Sequence, residues 1–153
     1  MPSVGTAAPD FELLNQYGEP VRLSDHRGRN VVLVFFPFAF SGICTGELCE
    51  IRDNLALFED ADASVLGISV DSKFAQRAYA EKEGYTFDLL ADFWPHGATA
   101  EQYGVLDAAS GMARRGTFII DAGGTVRYVV VNPRGQARDF AGYRAALAGL
   151  AGH

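Results

Sequence analysis

Asn30-Val31-Val32-Leu33-Val34-Phe35-Phe36 runs directly into Pro37-Phe38-Ala39-Phe40-Ser41-Gly42-Ile43-Cys44. The first half is β-branched, aromatic and continuous, the pattern of a central strand buried on both faces. The chain breaks at Pro37. It resumes at Ser41-Gly42-Ile43-Cys44 as the opening of a helix, expected to run to about Phe58 or Glu59. Leu48, Ile51, Leu55 and Phe58 recur at spacings of three and four, which gives this helix one apolar face. A cysteine therefore stands at a strand-to-helix junction. Unpaired backbone N–H groups and the helix dipole favour negative charge there, so the thiol is biased toward thiolate, the nucleophilic form.

Outward from this unit the pattern repeats. Ala63 to Val70 reads as a second buried strand, and Asp71 or Ser72 as the N-cap of a helix Lys73 to Glu83 that Gly84 ends. Thr86 to Leu90 is a short extended segment. Phe93-Trp94-Pro95-His96-Gly97 is a loop into a short helix, Ala98 to Tyr103, with His96 as its expected cap. Gly116 to Asp121 and Thr125 to Val131 form a hairpin around Ala122-Gly123-Gly124, and a last helix spans about Arg138 to Leu150. Toward the N-terminus, Pro9 to Leu14 and Val21 to Leu23 pair around Gly18, and Ser24 to Gly28 makes a turn or a single helical turn. A parallel β-α-β start requires right-handed crossovers, and the late hairpin adds antiparallel strands. The expected fold is α/β. It has a mixed central sheet with helices on both faces and an N-terminal β-hairpin, which is thioredoxin-fold topology in one domain spanning residues 1–153.

Composition narrows the function. Hydrophobic residues make up 48% and charged residues 21% of the 153-residue chain, as in ordinary soluble domains. The formal charge is −6 and no Lys/Arg run stands out, so nucleic acid is not an expected partner. The longest apolar run, which begins at Val31 and ends before Ser41, is far short of the ~20 residues a spanning helix needs. The opening Met1-Pro2-Ser3-Val4-Gly5 lacks the n- and h-regions of a signal peptide, so a cytoplasmic location is expected. In that reducing compartment Cys44 and Cys49 are not expected to form a permanent structural bridge. Their C-x4-C spacing is neither the C-x-x-C of dithiol reductants nor a zinc pattern, and His26, His96 and His153 are scattered. No metal is expected.

A thiolate at Cys44 calls for a cation. Arg115, at the start of the strand Gly116-Thr117-Phe118-Ile119-Ile120, is the best placed. Arg114 is its competitor, and strand alternation would point the two in opposite directions. Ser41 can donate its hydroxyl to the sulfur or to a bound oxyanion, and Pro37, lacking an N–H, can shield the pocket from water. Each residue also has an ordinary explanation: a small buried thiol, a strand terminator, an N-cap and an edge charge. Their joint occurrence at this spacing favours chemistry.

Pro37, Ser41 and Cys44 together satisfy P-x-x-x-[T/S]-x-x-C, and here the chain resembles the peroxiredoxins. The resemblance extends to Val4-Gly5 with Ala8-Pro9-Asp10-Phe11, to Val34-Phe35-Phe36-Pro37, and to Arg115-Gly116-Thr117-Phe118-Ile119-Ile120-Asp121. Phe36 to Cys44, Gly46-Glu47-Leu48 and Asp92-Phe93-Trp94-Pro95-His96-Gly97 are most similar to the alkyl hydroperoxide reductase E group. The resemblance implies a thiol peroxidase that reduces hydrogen peroxide and organic hydroperoxides. Cys44 would attack the terminal peroxide oxygen and become a sulfenic acid. Arg115, Ser41 and backbone amides near Cys44 would stabilise the leaving oxygen, and Glu47 would help orient the arginine. No cofactor is implied. The implied partners are a hydroperoxide and a reductant: thioredoxin, mycoredoxin or a low-molecular-weight thiol. A homodimer is expected, with Trp94 and Phe40 near its interface or the substrate mouth. Phe38, Phe40 and Ile43 would form a collar at that mouth, or only pack.

Cys49 departs from the one-cysteine group. It matches the resolving position of the bacterioferritin-comigratory-protein group. Five residues of ideal helix rise and turn so that two Cα atoms lie about 8.6 Å apart. An unstrained disulfide needs ~7 Å or less. A bridge between Cys44 and Cys49 therefore requires the helix to unwind, and Gly46 between them lowers helix stability by about 1 kcal/mol relative to Ala. The alternatives are resolution of Cys44 by an external thiol, with Cys49 as packing, and a redox sensor or relay built on the same cysteine.

Overall fold

The computed structural model describes the backbone of residues 1–132 and 140–151, and side chains within that span except 42–47, 132, 140, 141, 144 and 151. In chain order the elements begin with β1 (Glu12–Leu14), β2 (Pro20–Arg22), a 3₁₀ turn (Leu23–His26) and β3 (Asn30–Phe35). Then come α1 (Gly42–Asp53), α2 (Leu55–Asp60), β4 (Ala63–Ser69), α3 (Lys73–Glu83), β5 (Asp88–Ala91) and α4 (Ala98–Gln102). The chain continues through β6 (Leu106–Asp107), β7 (Met112–Ala113), β8 (Arg115–Ile120), β9 (Val126–Asn132) and α5 (Phe140–Ala151). Seven strands form one mixed sheet in the order β2-β1-β5-β4-β3-β8-β9. β3, β4 and β5 run parallel, while β8 lies antiparallel to β3 and to β9. The N-terminal hairpin joins the sheet through Leu14, opposite Ala91 of β5.

The unbroken apolar run of β3 is explained by what lies on either side. Val31, Leu33 and Phe35 enter one core with Tyr103, Ala100, Phe118 and Phe11. Val32, Val34 and Phe36 enter the other with Leu48 and Ile51 of α1, Phe58 of α2, Tyr79 of α3 and Leu147 of α5. Each side chain from Val31 to Phe36 is at most 1% exposed. Each such burial stabilises the fold by roughly 1.5–3 kcal/mol. Gly67 of β4 allows this density, since a Cβ there would come within 2.8 Å of Leu89.

Most expected elements fall within a residue or two of their predicted ends. The helix after Cys44 is the main correction, because it is two helices rather than one. Asn54 (φ −118°, ψ 26°) separates α1 from α2. Its amide donates to Glu50 O and Ile51 O, and its side-chain Nδ2 donates to Glu50 O at 2.8 Å. The side-chain bond to Glu50 O competes with the helical ladder. A small ribbon, β6–β7, pairs Leu106 with Ala113 and Asp107 with Met112, in addition to the expected elements. The expected helix start near Arg138 lies outside the described residues.

Candidate active site

The site is assembled at the C-terminal end of β3. Pro37 is buried just beyond the strand, while Phe38 and Phe40 are exposed. Phe40 adopts φ 67°, a left-handed conformation rare for a bulky residue. Ser41 folds back on the turn. Its amide donates to Phe38 O at 3.3 Å and its hydroxyl donates to the same oxygen at 2.7 Å. α1 then begins at Gly42 with Ser41 as its N-cap residue. Cys44 is the third helical residue, within the first turn, where amides have no carbonyl one turn earlier to bond. No acidic residue occupies that first turn, and Arg52 lies in the last. The dipole therefore favours an anion at the Cys44 end. The side chains of Cys44, Glu47 and Ile43 lie outside the described residues.

Arg115 opens β8 and is 9% exposed, whereas Arg114 is exposed, as alternation predicts. The β3–β8 register pairs Val34 with Thr117. Continued by two residues, it brings Arg115 level with Phe36, just before Pro37. Arg115 shares a strand face with Thr117 and Ile119, and Ile119 belongs to the core covered by α1, α2, α3 and α5. Backbone register thus places the guanidinium on the sheet face from which α1 starts. Thr117 is tied to α5 through a 2.7 Å hydrogen bond with the Tyr143 hydroxyl.

Cys49 lies further along α1 and is half-buried. Its thiol donates to Glu83 Oε2 at 3.4 Å and lies 3.4 Å from the Tyr85 hydroxyl. Arg52 closes this cluster: it donates to the Glu83 carbonyl, and its guanidinium lies 3.9 Å from Glu83 Oε2 and 6.0 Å from the Tyr85 ring centroid. Burial, together with hydrogen bonds to Cys49 and Tyr79, pushes the Tyr85 phenol well above its ordinary pKa. Cys49 therefore has polar partners on α3 and the segment after it, which the sequence did not reveal.

Other expectations are corrected or sharpened. His96 does not cap α4, because its ring bonds the Gly111 carbonyl. The buried Asp92 carboxylate takes that role, accepting from Thr99 N at 3.0 Å and Ala100 N at 2.9 Å. Burial raises the Asp92 pKa against the opposing pull of those amides. Phe40 lies on Tyr79, with ring centroids 5.0 Å apart, and under the Lys82 ammonium at 5.6 Å. Trp94 is 81% exposed and lines an apolar groove with Leu13, Leu14, Phe74 and Phe93. Among the described residues no group of three His, Cys, Asp or Glu is placed to hold a metal ion. Among them also, no helix is long and apolar enough to cross a membrane.

A seven-stranded mixed sheet with helices on both faces, and a helix that carries a cysteine in its first turn straight after the central strand, is the architecture of the thioredoxin-fold class. Residues 4–129 match the AhpC/TSA family model. The chain is 46% identical over 151 residues to alkyl hydroperoxide reductase E of Mycobacterium bovis, covering 98% of this chain and 99% of that protein. It is 38% identical to peroxiredoxin-2 of Mus musculus, covering 89% of this chain and 74% of that protein. Among solved structures, peroxidoxin BcpB from Mycobacterium tuberculosis superposes with a TM-score of 0.85 at 36% identity, covering 98% of this chain and 97% of that one. The chain belongs to the AhpC/TSA family of peroxiredoxins and is an enzyme of the thiol peroxidase class.

Proposed function

We propose that Cys44 is the peroxidatic cysteine of a single-domain enzyme that reduces hydrogen peroxide and organic hydroperoxides. The observation that carries this is the placement of Cys44 in the first turn of α1, on the sheet face where Arg115 is buried. In this reading the Cys44 thiolate attacks the terminal peroxide oxygen. An S–O bond forms, the O–O bond breaks, and the departing alkoxide or hydroxide takes a proton to leave as alcohol or water. Arg115 and the first-turn amides stabilise the charge on that oxygen. Ser41, whose hydroxyl is turned to Phe38 O, contributes by rotating toward the substrate. Pro37 closes the floor, and Glu47 supports the arginine.

The sulfenic acid at Cys44 is then resolved by Cys49. Its sulfur attacks the Cys44 sulfur, water leaves, and a disulfide forms that a thioredoxin, a mycoredoxin or another thiol reduces. A continuous α1 through both residues means that this step proceeds by unwinding. A second reading, resolution by an external thiol, is favoured by the engagement of the Cys49 thiol with Glu83 and Tyr85. The working unit is a homodimer in the cytoplasm. A sensor or relay role would use the same Cys44 and differ only in what receives the oxidation.

The test is turnover of peroxide by wild type, Cys44→Ser and Cys49→Ser with thioredoxin or a low-molecular-weight thiol, with intact mass read after one equivalent of peroxide. Cys44→Ser is expected to be inactive, and activity there refutes the reading. A loss of two hydrogens without a dimedone adduct marks the disulfide, whereas a lasting dimedone adduct in wild type marks external resolution.

A further inference from the structure

We propose that Asp71 is a positioning residue for this reaction, which rests on the reading of Cys44 given above. Asp71 stands between β4 and α3, but its carboxylate does not serve α3. Ser72 caps that helix, accepting from Ala75 N at 3.3 Å. Asp71 Oδ2 instead accepts the amide of Ala39 at 2.8 Å, in the loop that joins β3 to α1. The same oxygen accepts the Ser69 hydroxyl at 2.6 Å. With its single proton given to Asp71, Ser69 Oγ acts as acceptor toward Gln76 Nε2 at 2.8 Å and Asp71 N at 3.3 Å. Gln76 Nε2 also donates to Leu90 O of β5 at 3.0 Å. Ser69 and Gln76 are fully buried. The direction of each of these bonds is therefore fixed, from β5 through α3 and the end of β4 to the loop carrying Pro37, Phe40 and Ser41.

The loop needs such an anchor. Phe40 holds a left-handed backbone that persists only where its surroundings impose it. Ser41 bonds back to Phe38, so the turn is closed on itself, and the Ala39–Asp71 bond ties it to the sheet. The start of α1, and with it the Cys44 backbone, follows from where this loop ends. Small displacements of a reacting group cost rate steeply. Asp71 acts through Ala39, on geometry rather than on thiol reactivity as such.

The experiment compares wild type, Asp71→Ala, Asp71→Asn and Cys44→Ser in reduced form. Two rate constants are measured, with hydrogen peroxide and with iodoacetamide, the latter followed at Cys44 by peptide mass. Asp71→Ala is expected to lower the peroxide constant about tenfold, the scale of one lost charge-assisted hydrogen bond, while alkylation stays within about twofold. Asp71→Asn, whose amide oxygen still accepts the Ala39 N–H, is expected to keep the peroxide constant within about threefold. Ser69→Ala removes the second donor to Oδ2. It replaces Asp71→Ala if that variant does not fold, with the same split between peroxide and iodoacetamide expected. An unchanged peroxide constant, a parallel fall in both constants, or no rescue by Asn overturns the role of Asp71. Peroxide reactivity in wild type no greater than in Cys44→Ser refutes the underlying reading instead.

Discussion

Arg115 and Asp71 show what a single residue contributes here. Arg115 is buried because its strand face is the covered one, while Arg114 one step earlier meets solvent. A guanidinium presents a planar fork of donors that an ammonium cannot reproduce. Arg115→Lys is therefore expected to keep the charge yet lower the peroxide rate constant of reduced protein by about 100-fold, the scale of one lost transition-state donor, as read by stopped flow. A rate within threefold of wild type would remove Arg115 from the site. That Arg114 and Arg115 face opposite ways was legible because alternation along a strand is a local property. The Asp71 contact was not, since its partner Ala39 is 32 residues away and Ser-Val-Asp-Ser reads equally well as a helix cap. Likewise nothing in the spacing of Cys44 and Cys49 announces that Glu83 and Tyr85 converge on the second thiol.

Elements were legible where their ends carry chemistry of their own. Ser72 and the left-handed Gly84 (φ 72°) bound α3 at the predicted residues, because caps act over a single turn. The break at Asn54 was hidden because Leu48, Ile51, Leu55 and Phe58 keep helical spacing across it, and periodicity records which face is buried, not whether the ladder continues. The β8–β9 turn supplies a pH-dependent test. Burial pushes the Asp121 carboxyl up, but amide donors from Thr125 and Gly123 and the Arg127 side chain outweigh it, so its pKa is lowered. A carboxyl with a lowered folded pKa contributes stability above its unfolded value of about 3.9 and loses it as pH falls through the folded value. Thermal melts are expected to show wild type more stable than Asp121→Asn at neutral pH. The gap should close on acidification below about pH 4. A gap that is constant with pH would mean that the Asp121 charge is not what the turn uses.

At the scale of the whole molecule, the exposed surface carries an anomaly that the interior does not. Phe74, Phe93 and Trp94 are 76%, 54% and 81% exposed around one groove. Clustering of exposed aromatic side chains is the ordinary signature of an interaction face. In the homodimer reading, Trp94→Asp places a charge in the contact. It is expected to shift the protein from dimer to monomer in sedimentation, with the fold retained by circular dichroism. An unchanged dimer would move the interface elsewhere. The overall architecture was legible because one strand, β3, divides its side chains between two cores, and a run with no polar residue admits few other placements.

Asn54 also decides how far damage or rearrangement can travel. α1 ends in its own hydrogen-bonded cap, and α2 holds its own anchor, Phe58, in the core that Leu48 and Ile51 of α1 also enter. Uncoiling confined to the turns of α1 that carry both cysteines need not drag α2 along. In the reading where Cys49 resolves Cys44, the joint would work like a fuse: the part that gives way is short, and the wiring behind it keeps its shape for the next cycle.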